Sequence, residues 1–221
     1  MRYAVAMSAV SHKFAPSSEA EVTRLVLEYP FAWLVTVAPE GDFAATPLPL
    51  RPAIDERGEV SALLGHFARS NPHVALLRRV PRTLVLFMGP HGYISSSWLT
   101  DRTRTPTWNY ASAQYLVDIE LIDDDPAVTD EIVADLIGAM EAGRPGAWTS
   151  AEMGARYARL VSGIIAFRAH IRERRVKFKL GQDERDSEYA DIVRALAAAG
   201  GDLTLLEWMQ RANPSRSGSG A

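Results

Sequence analysis

The chain has 221 residues, 47% hydrophobic and 23% charged, which suits one large globular domain, with at most an appendage, and excludes an extended disordered chain. Its 24 basic and 27 acidic residues leave a formal charge of -3, not the balance of a protein held on nucleic acid by phosphate neutralisation. The absence of cysteine excludes disulfides, thiolate metal sites, iron-sulfur clusters and Cys nucleophiles, so any redox chemistry requires a bound cofactor.

His12 and Lys13 interrupt the mild apolar N-terminus before a signal-peptide core forms, and no apolar run approaches the ~20 residues of a membrane span, so the chain reads as cytoplasmic. Ser18 and Glu21 write a capping box, and Val22, Leu25, Val26 and Tyr29 follow at helical spacing until Pro30 ends the helix. Phe31 to Val37 reads as a buried strand, Pro39 to Asp42 as a turn, and Phe43 to Leu50 as the returning strand. Glu59 to Gly65 is a further strand after the turn Asp55 to Gly58, and Asn71-Pro72 opens a short helix through Leu77. Thr83 to Met88 is an apolar strand that Gly89-Pro90 is expected to end.

Residues 89–112 break the periodic pattern yet carry Tyr93, Trp98, Trp108 and Tyr110, the mark of a functional loop. Ala113 to Leu121 resumes as strand, and Asp125-Pro126 caps a helix bearing Val128, Ile132, Val133, Leu136 and Met140. Thr149 and Glu152 open a helix to about Leu160. Ile164 to Ile171 is a strand, and the parity flip before Val176, Phe178 and Leu180 predicts a turn or bulge near Glu173-Arg174. Tyr189, Ile192, Val193 and Leu196 form a helical stripe ended by Gly200-Gly201, and Asp202 caps a last helix bearing Leu205, Trp208 and Met209. About seven short strands, mostly in hairpins with helices inserted, predict an α+β chain, mainly β, whose sheet avoids exposed edges by closing on itself.

Gly65 to Pro72 lies where a strand ends and a helix begins, a place suited to anions: Arg69 offers a planar fork of donors, with His66, Ser70 and Asn71 beside it. The plainer alternative is a helix cap with Arg69 in water and His66 bonded in the core. His12, His66, His73, His91 and His170 form no H-x-x-x-H or H-E-x-x-H pair, so no metal site is expected. Ser95, Ser96 and Ser97 lack the G-x-S-x-G context of a nucleophile; beside Trp98 and Trp108 they suit a pocket for a planar ligand, though either Trp alone suits a core or dimer interface equally. Arg168, Arg172, Arg174, Arg175, Lys177 and Lys179 form the one basic run, read as a solvated face that the acids at Asp183 to Asp191 neutralise, with Lys179 a candidate phosphate contact.

These motifs together resemble the PaiB-type FMN-binding proteins, a family carrying the label of negative transcriptional regulators and related to pyridoxamine phosphate oxidase-like split barrels. The matching stretches are Pro30-Phe31-Ala32 with Leu34, Thr46 to Leu50, Gly65 to Pro72, Gly89 to Ser95, Ser97-Trp98, Pro106 to Tyr110, and Lys179-Leu180 with Gln182. The family has Pro at the place of Ser96, Tyr at that of Leu99, and Lys-Leu-Ser-Gln-Asn where this chain has Lys179-Leu180-Gly181-Gln182-Asp183.

The resemblance implies an FMN-binding split β-barrel over residues 1–182; the helical stripes after it read as an appendage at 183–212, and the small polar residues at the end as a flexible tail at 213–221. It implies a homodimer with FMN near the subunit interface, Thr46, Pro47 and Leu48 along the flavin, and His66, Arg69, Ser70 and Asn71 at the phosphate. Ser97, Trp98, Trp108, Lys179 and Gln182 complete the implied cofactor set, the two Trp walling the ring or coming from the partner. The expected role is flavin-dependent redox chemistry or sensing. The alternatives are a transcriptional regulator acting on DNA or through a protein partner, and a binder of heme, through His66 or His91, or of pyridoxal phosphate.

Overall fold

The computed structural model describes residues 12–198 and 203–216. Seven strands form one sheet in the order β2-β1-β5-β6-β7-β4-β3: β1 (Phe31–Val37), β2 (Phe43–Pro49), β3 (Arg51–Ile54), β4 (Val60–Ala68), β5 (Arg82–Ile94), β6 (Thr107–Ile122) and β7 (Ile164–Lys179). Six α-helices accompany them among the described residues: α1 (Glu19–Glu28), α2 (Pro72–Leu77), α3 (Pro126–Glu141), α4 (Arg156–Ser162), α5 (Asp186–Ala198) and α6 (Leu203–Ala212). The expected α+β class is observed, and the ladders of β1 with β2 and β5, and of β4 with β3 and β7, are antiparallel.

The described residues divide into two compact units, 19–87 with 113–174, and 12–18 with 88–112, 175–198 and 203–216. In the first, α1 buries Val22, Leu25 and Val26, and the alternating strands bury Leu34, Phe67, Phe87, Tyr115 and Phe167. Gly65 on β4 faces Phe167 on β7; a Cβ there would stand 2.6 Å from Leu50 Cδ2 and 2.8 Å from Phe167 Cζ, so only glycine admits both side chains. In the second, Phe178 meets Trp208 edge-on with ring centroids 5.5 Å apart, among buried Ile94, Tyr189, Ile192 and Met209. Gly181, at φ +89°, turns the chain after β7, and Asn213 Nδ2 fastens that turn by donating to the carbonyls of Leu180 and Met209.

β5 does not end at Gly89-Pro90, and of the turn or bulge expected near Glu173-Arg174 the turn is absent. β5 runs through Gly89-Pro90 to Ile94, and β7 runs through Glu173-Arg174 to Lys179. Both strands pass from one unit to the other, and their buried faces change parity at the passage: Thr83, Val85, Phe87 and Gly89 give way to Pro90 and Ile94, and Phe167 and Ala169 give way to Val176 and Phe178. The parity flip is a change of core within a continuous strand. Strand β3 was not foreseen; it pairs with β4 across the turn at Asp55. The helix expected from Thr149 is instead a 3-10 turn, Ser150–Met153, separated from α4 by Gly154 at φ +53°. The expected signals at Gly200, Gly201 and Asp202 lie outside the described residues.

Candidate functional site

In the first unit, β2, the end of β4 and α2 converge. Asn71 caps α2, its Oδ1 accepting from His73 N at 2.9 Å, while Pro72 has no N–H to offer. The N–H groups of Asn71 and Val74 donate to Ala68 O and Asn71 O. The backbone donors of this turn are therefore used within it, and the anion site expected from a free helix start reduces to side chains.

Those side chains are His66, Arg69 and Ser70. His66 is half-buried on β4, and its Nδ1 is shielded from solvent with no protein partner. Arg69 is partly exposed; Nε donates to Ser162 O at 3.2 Å, and its terminal nitrogens reach Asp123 Oδ1 and O only at 3.4 Å. Asp123 is held more tightly by Arg78, with one contact at 2.7 Å, and these guanidinium bonds keep its carboxyl below the usual range. Arg69 thus retains two N–H donors and weak bonds on two others. Ser70 is exposed beside it. Arg69, Asp123, Asp130 and Tyr157 line a cavity of about 490 Å³, in which the Tyr157 hydroxyl donates to Asp130 at 2.6 Å. Burial, then that bond, pushes the Tyr157 hydroxyl up to about 12.

Thr46 of β2 belongs to a chain of hydrogen bonds that sequence reasoning missed. Thr46 Oγ1 meets His73 Nδ1 at 2.9 Å, His73 Nε2 meets Thr36 Oγ1 at 2.8 Å, Thr36 Oγ1 meets Thr83 Oγ1 at 2.7 Å, and Thr83 Oγ1 donates to Pro81 O at 3.3 Å. His73, Thr36 and Thr83 are at most 2% exposed. The signal was present: Thr36 and Thr83 stand at core parity on their strands, where an unpaired hydroxyl would be costly.

Burial pushes both His66 and His73 below the ordinary imidazole pKa. The unfolded chain then binds more protons than the folded one below about pH 6.5. Stability is full above that pH and falls as pH drops toward the folded-state values. Urea midpoints between pH 7.5 and 5 should decline, and His66→Asn should flatten the decline; a flat wild-type profile would count against neutral, buried imidazoles.

The remaining expected residues lie in the second unit. Trp108 is 54% exposed at the start of β6, stacked on His91 with centroids 6.5 Å apart and met edge-on by Tyr93 at 6.0 Å. Lys179 Nζ donates to Thr107 Oγ1 and Trp108 O. Ser97 belongs to the turn Ser96–Trp98, where Ser95 Oγ accepts from its N–H at 3.1 Å. Gln182 closes its own turn, accepting from Leu180 N and donating to Phe178 O, each at 2.7 Å. Lys179 also borders a cavity of about 290 Å³ with Arg104, Asp183 and Glu184. Burial and the neighbouring Asp183 and Glu188 push the Glu184 carboxyl up, so this cavity is electrostatically poor for a phosphate. Within the basic run on β7, Arg172 pairs with Asp118 and Arg174 with Glu19, both distant in sequence, while Lys179 attracts Glu184 among the acids that follow.

The seven-stranded sheet and its flanking helices place the chain in the α+β class. The family described as "Putative FMN-binding domain" matches residues 9–173; the chain belongs to that family, its fold is the split barrel, and FMN is its cofactor. The chain is 28% identical over 188 residues to the "Protease synthase and sporulation protein PAI 2" of Bacillus subtilis (strain 168), covering 83% of this chain and 86% of that protein. Among solved structures it is similar to the FAD and heme binding protein of Mycobacterium smegmatis, with a TM-score of 0.58, 18% identity, and 85% of this chain and 80% of that one covered. It is also similar to a conserved hypothetical protein of Mycobacterium tuberculosis, with a TM-score of 0.56, 15% identity, and 78% and 91% covered. No helix among the described residues is long and apolar enough to cross a membrane.

Proposed function

We propose that this protein is a homodimeric flavoprotein whose FMN serves redox chemistry or sensing, with the phosphate held by Arg69, Ser70 and His66 and the ring bordered by Thr46, Pro47 and Leu48. One observation carries the reading: the shielded, unpartnered Nδ1 of His66 stands three residues before an arginine with donors to spare and an exposed serine. The chemistry FMN supplies when bound is one- or two-electron transfer, for which a chain without cysteine has no group of its own. Of the protein's residues, Arg69 and Ser70 bind an anion, and Thr46 orients its strand against the ring. In the second unit, Trp108, Tyr93 and His91 offer an exposed aromatic surface suited to a planar ligand. FMN titration into apoprotein should quench flavin fluorescence and raise Tm; neither change would defeat the reading. Hemin added in parallel tests the heme alternative: a Soret shift that survives His91→Ala and vanishes in His66→Ala would give His66 the iron.

The second copy has a surface to meet. Phe31, Trp33 and Val37 on β1 and Phe43 on β2 are 49–74% exposed, and the register sets them on one face, with Val37 opposite Phe43 and Trp33 opposite Pro47. Such a contiguous apolar face is what a subunit interface covers. Sedimentation should give twice the chain mass, and Trp33→Glu should return it to monomer with FMN affinity reduced; a wild-type monomer at tens of micromolar would exclude this dimer. A role in regulation is better sought through flavin state or a protein partner than through duplex contact, because Arg172 and Arg174 are already ion-paired.

A further inference from the structure

The threonine-histidine chain under β2 has a direction. The Pro81 carbonyl can only accept, so the direction that leaves no group of the chain unbonded has Thr83 donating to it at 3.3 Å and accepting from Thr36 at 2.7 Å. Thr36, its proton spent, must accept from His73, which places the imidazole proton on Nε2. His73 Nδ1 is then a bare acceptor and takes the proton of Thr46. Each step follows from the last because a hydroxyl has one proton to give, and the far end of the chain is a backbone carbonyl, which can only accept.

We infer that His73 is a positioning residue that holds the Thr46 hydroxyl as a hydrogen-bond acceptor toward the ligand side of β2, complementary to a ring N–H and mismatched to a carbonyl. The inference rests on the reading that β2 borders the flavin. Thr46 suits the part: it is half-exposed on a terminal strand of the sheet, so a lone pair remains open, while its proton is committed to a side chain that is 2% exposed. The flavin ring carries both N–H and carbonyl edges, so an acceptor fixed at this position selects which edge lies against β2.

The apoprotein tests the direction without cofactor. Long-range ¹⁵N–¹H correlation at pH 7.5 should show the His73 proton on Nε2 and a pyridine-like Nδ1; a proton on Nδ1 would overturn the inference. FMN titration tests the consequence. Thr46→Ser should bind within about twofold of wild type and Thr46→Val about threefold to tenfold more weakly, the span of one neutral hydrogen bond. His73→Asn, whose carbonyl replaces the Nδ1 acceptor, should bind FMN more tightly than His73→Gln, whose amide replaces only the Nε2 donor. Equal loss in both would reduce His73 to packing and overturn the inference. Wild-type protein that takes up no FMN while carrying the proton on Nε2 would instead defeat the flavin reading and leave the tautomer standing.

Discussion

Replacing Arg69 with alanine is expected to weaken FMN binding by about 1.5–3 kcal/mol, roughly tenfold to more than a hundredfold in Kd, the scale of a hydrogen bond to a charged group. The upper end is reached if the guanidinium meets the phosphate with two parallel donors. What tempers it is Asp123, which already draws on Arg69 at 3.4 Å and competes for the same donors. That competition supplies a control of opposite sign. Asp123→Asn removes a carboxylate from the edge of the site and frees Arg69, so FMN should bind more tightly, while Arg69→Ala on that background should cost at least as much as before. Isothermal titration at low and moderate salt reads both variants; an unchanged Kd in Arg69→Ala would move the phosphate to another part of the chain.

The largest stability effect is expected from Phe167→Ala, a loss of about 3–5 kcal/mol, which in a domain of this size lowers Tm by roughly 6–20 °C. Phe167 is fully buried, lies opposite Gly65 across the β4–β7 ladder, and packs on Phe67 with ring centroids 5.1 Å apart. Phe67 in turn meets His73 edge-on at 5.5 Å. Truncating Phe167 leaves a void under the strand that carries His66. Glycine at position 65 has no side chain to fill the void, and Phe67 loses its ring contact with Phe167. Urea unfolding should show the midpoint fall with little change in slope. A loss below about 1 kcal/mol would mean that the core collapses around the gap, contrary to close packing.

Local signals were legible where they were punctuated. Strand β1 and helix α2 fall where the apolar run from Phe31 to Val37 and the Asn71-Pro72 start placed them, because both are bounded by residues that end or begin elements by themselves, although β1, expected to be buried, buries one face only. The long strands were not legible, since one strand that serves two cores presents two parities, and a parity change looks the same as a turn in a string of letters. Of the candidate site, the cluster of His66, Arg69, Ser70 and Asn71 was visible from residue type and spacing. Asp123 was not, because its pairing with Arg69 closes 54 residues of chain. His73 was passed over as a mere non-ligand; only the fold shows that Thr36, Thr46 and Thr83 surround it.

The prolines of β2 bear on how copies of the chain can meet. Leu50 N donates to Pro30 O, which aims the even-numbered N–H groups of this segment at β1 and the odd-numbered ones at the open edge. Pro47 and Pro49 stand in the odd set, and Pro52 sits on β3, the strand at the other end of the ladder order. Neither terminal strand therefore offers the unbroken row of donors that lets one sheet extend into the next. These prolines disfavour growth by strand addition. A dimer of the kind proposed, built on the apolar surface of β1 and β2, would instead form face to face and close at two copies.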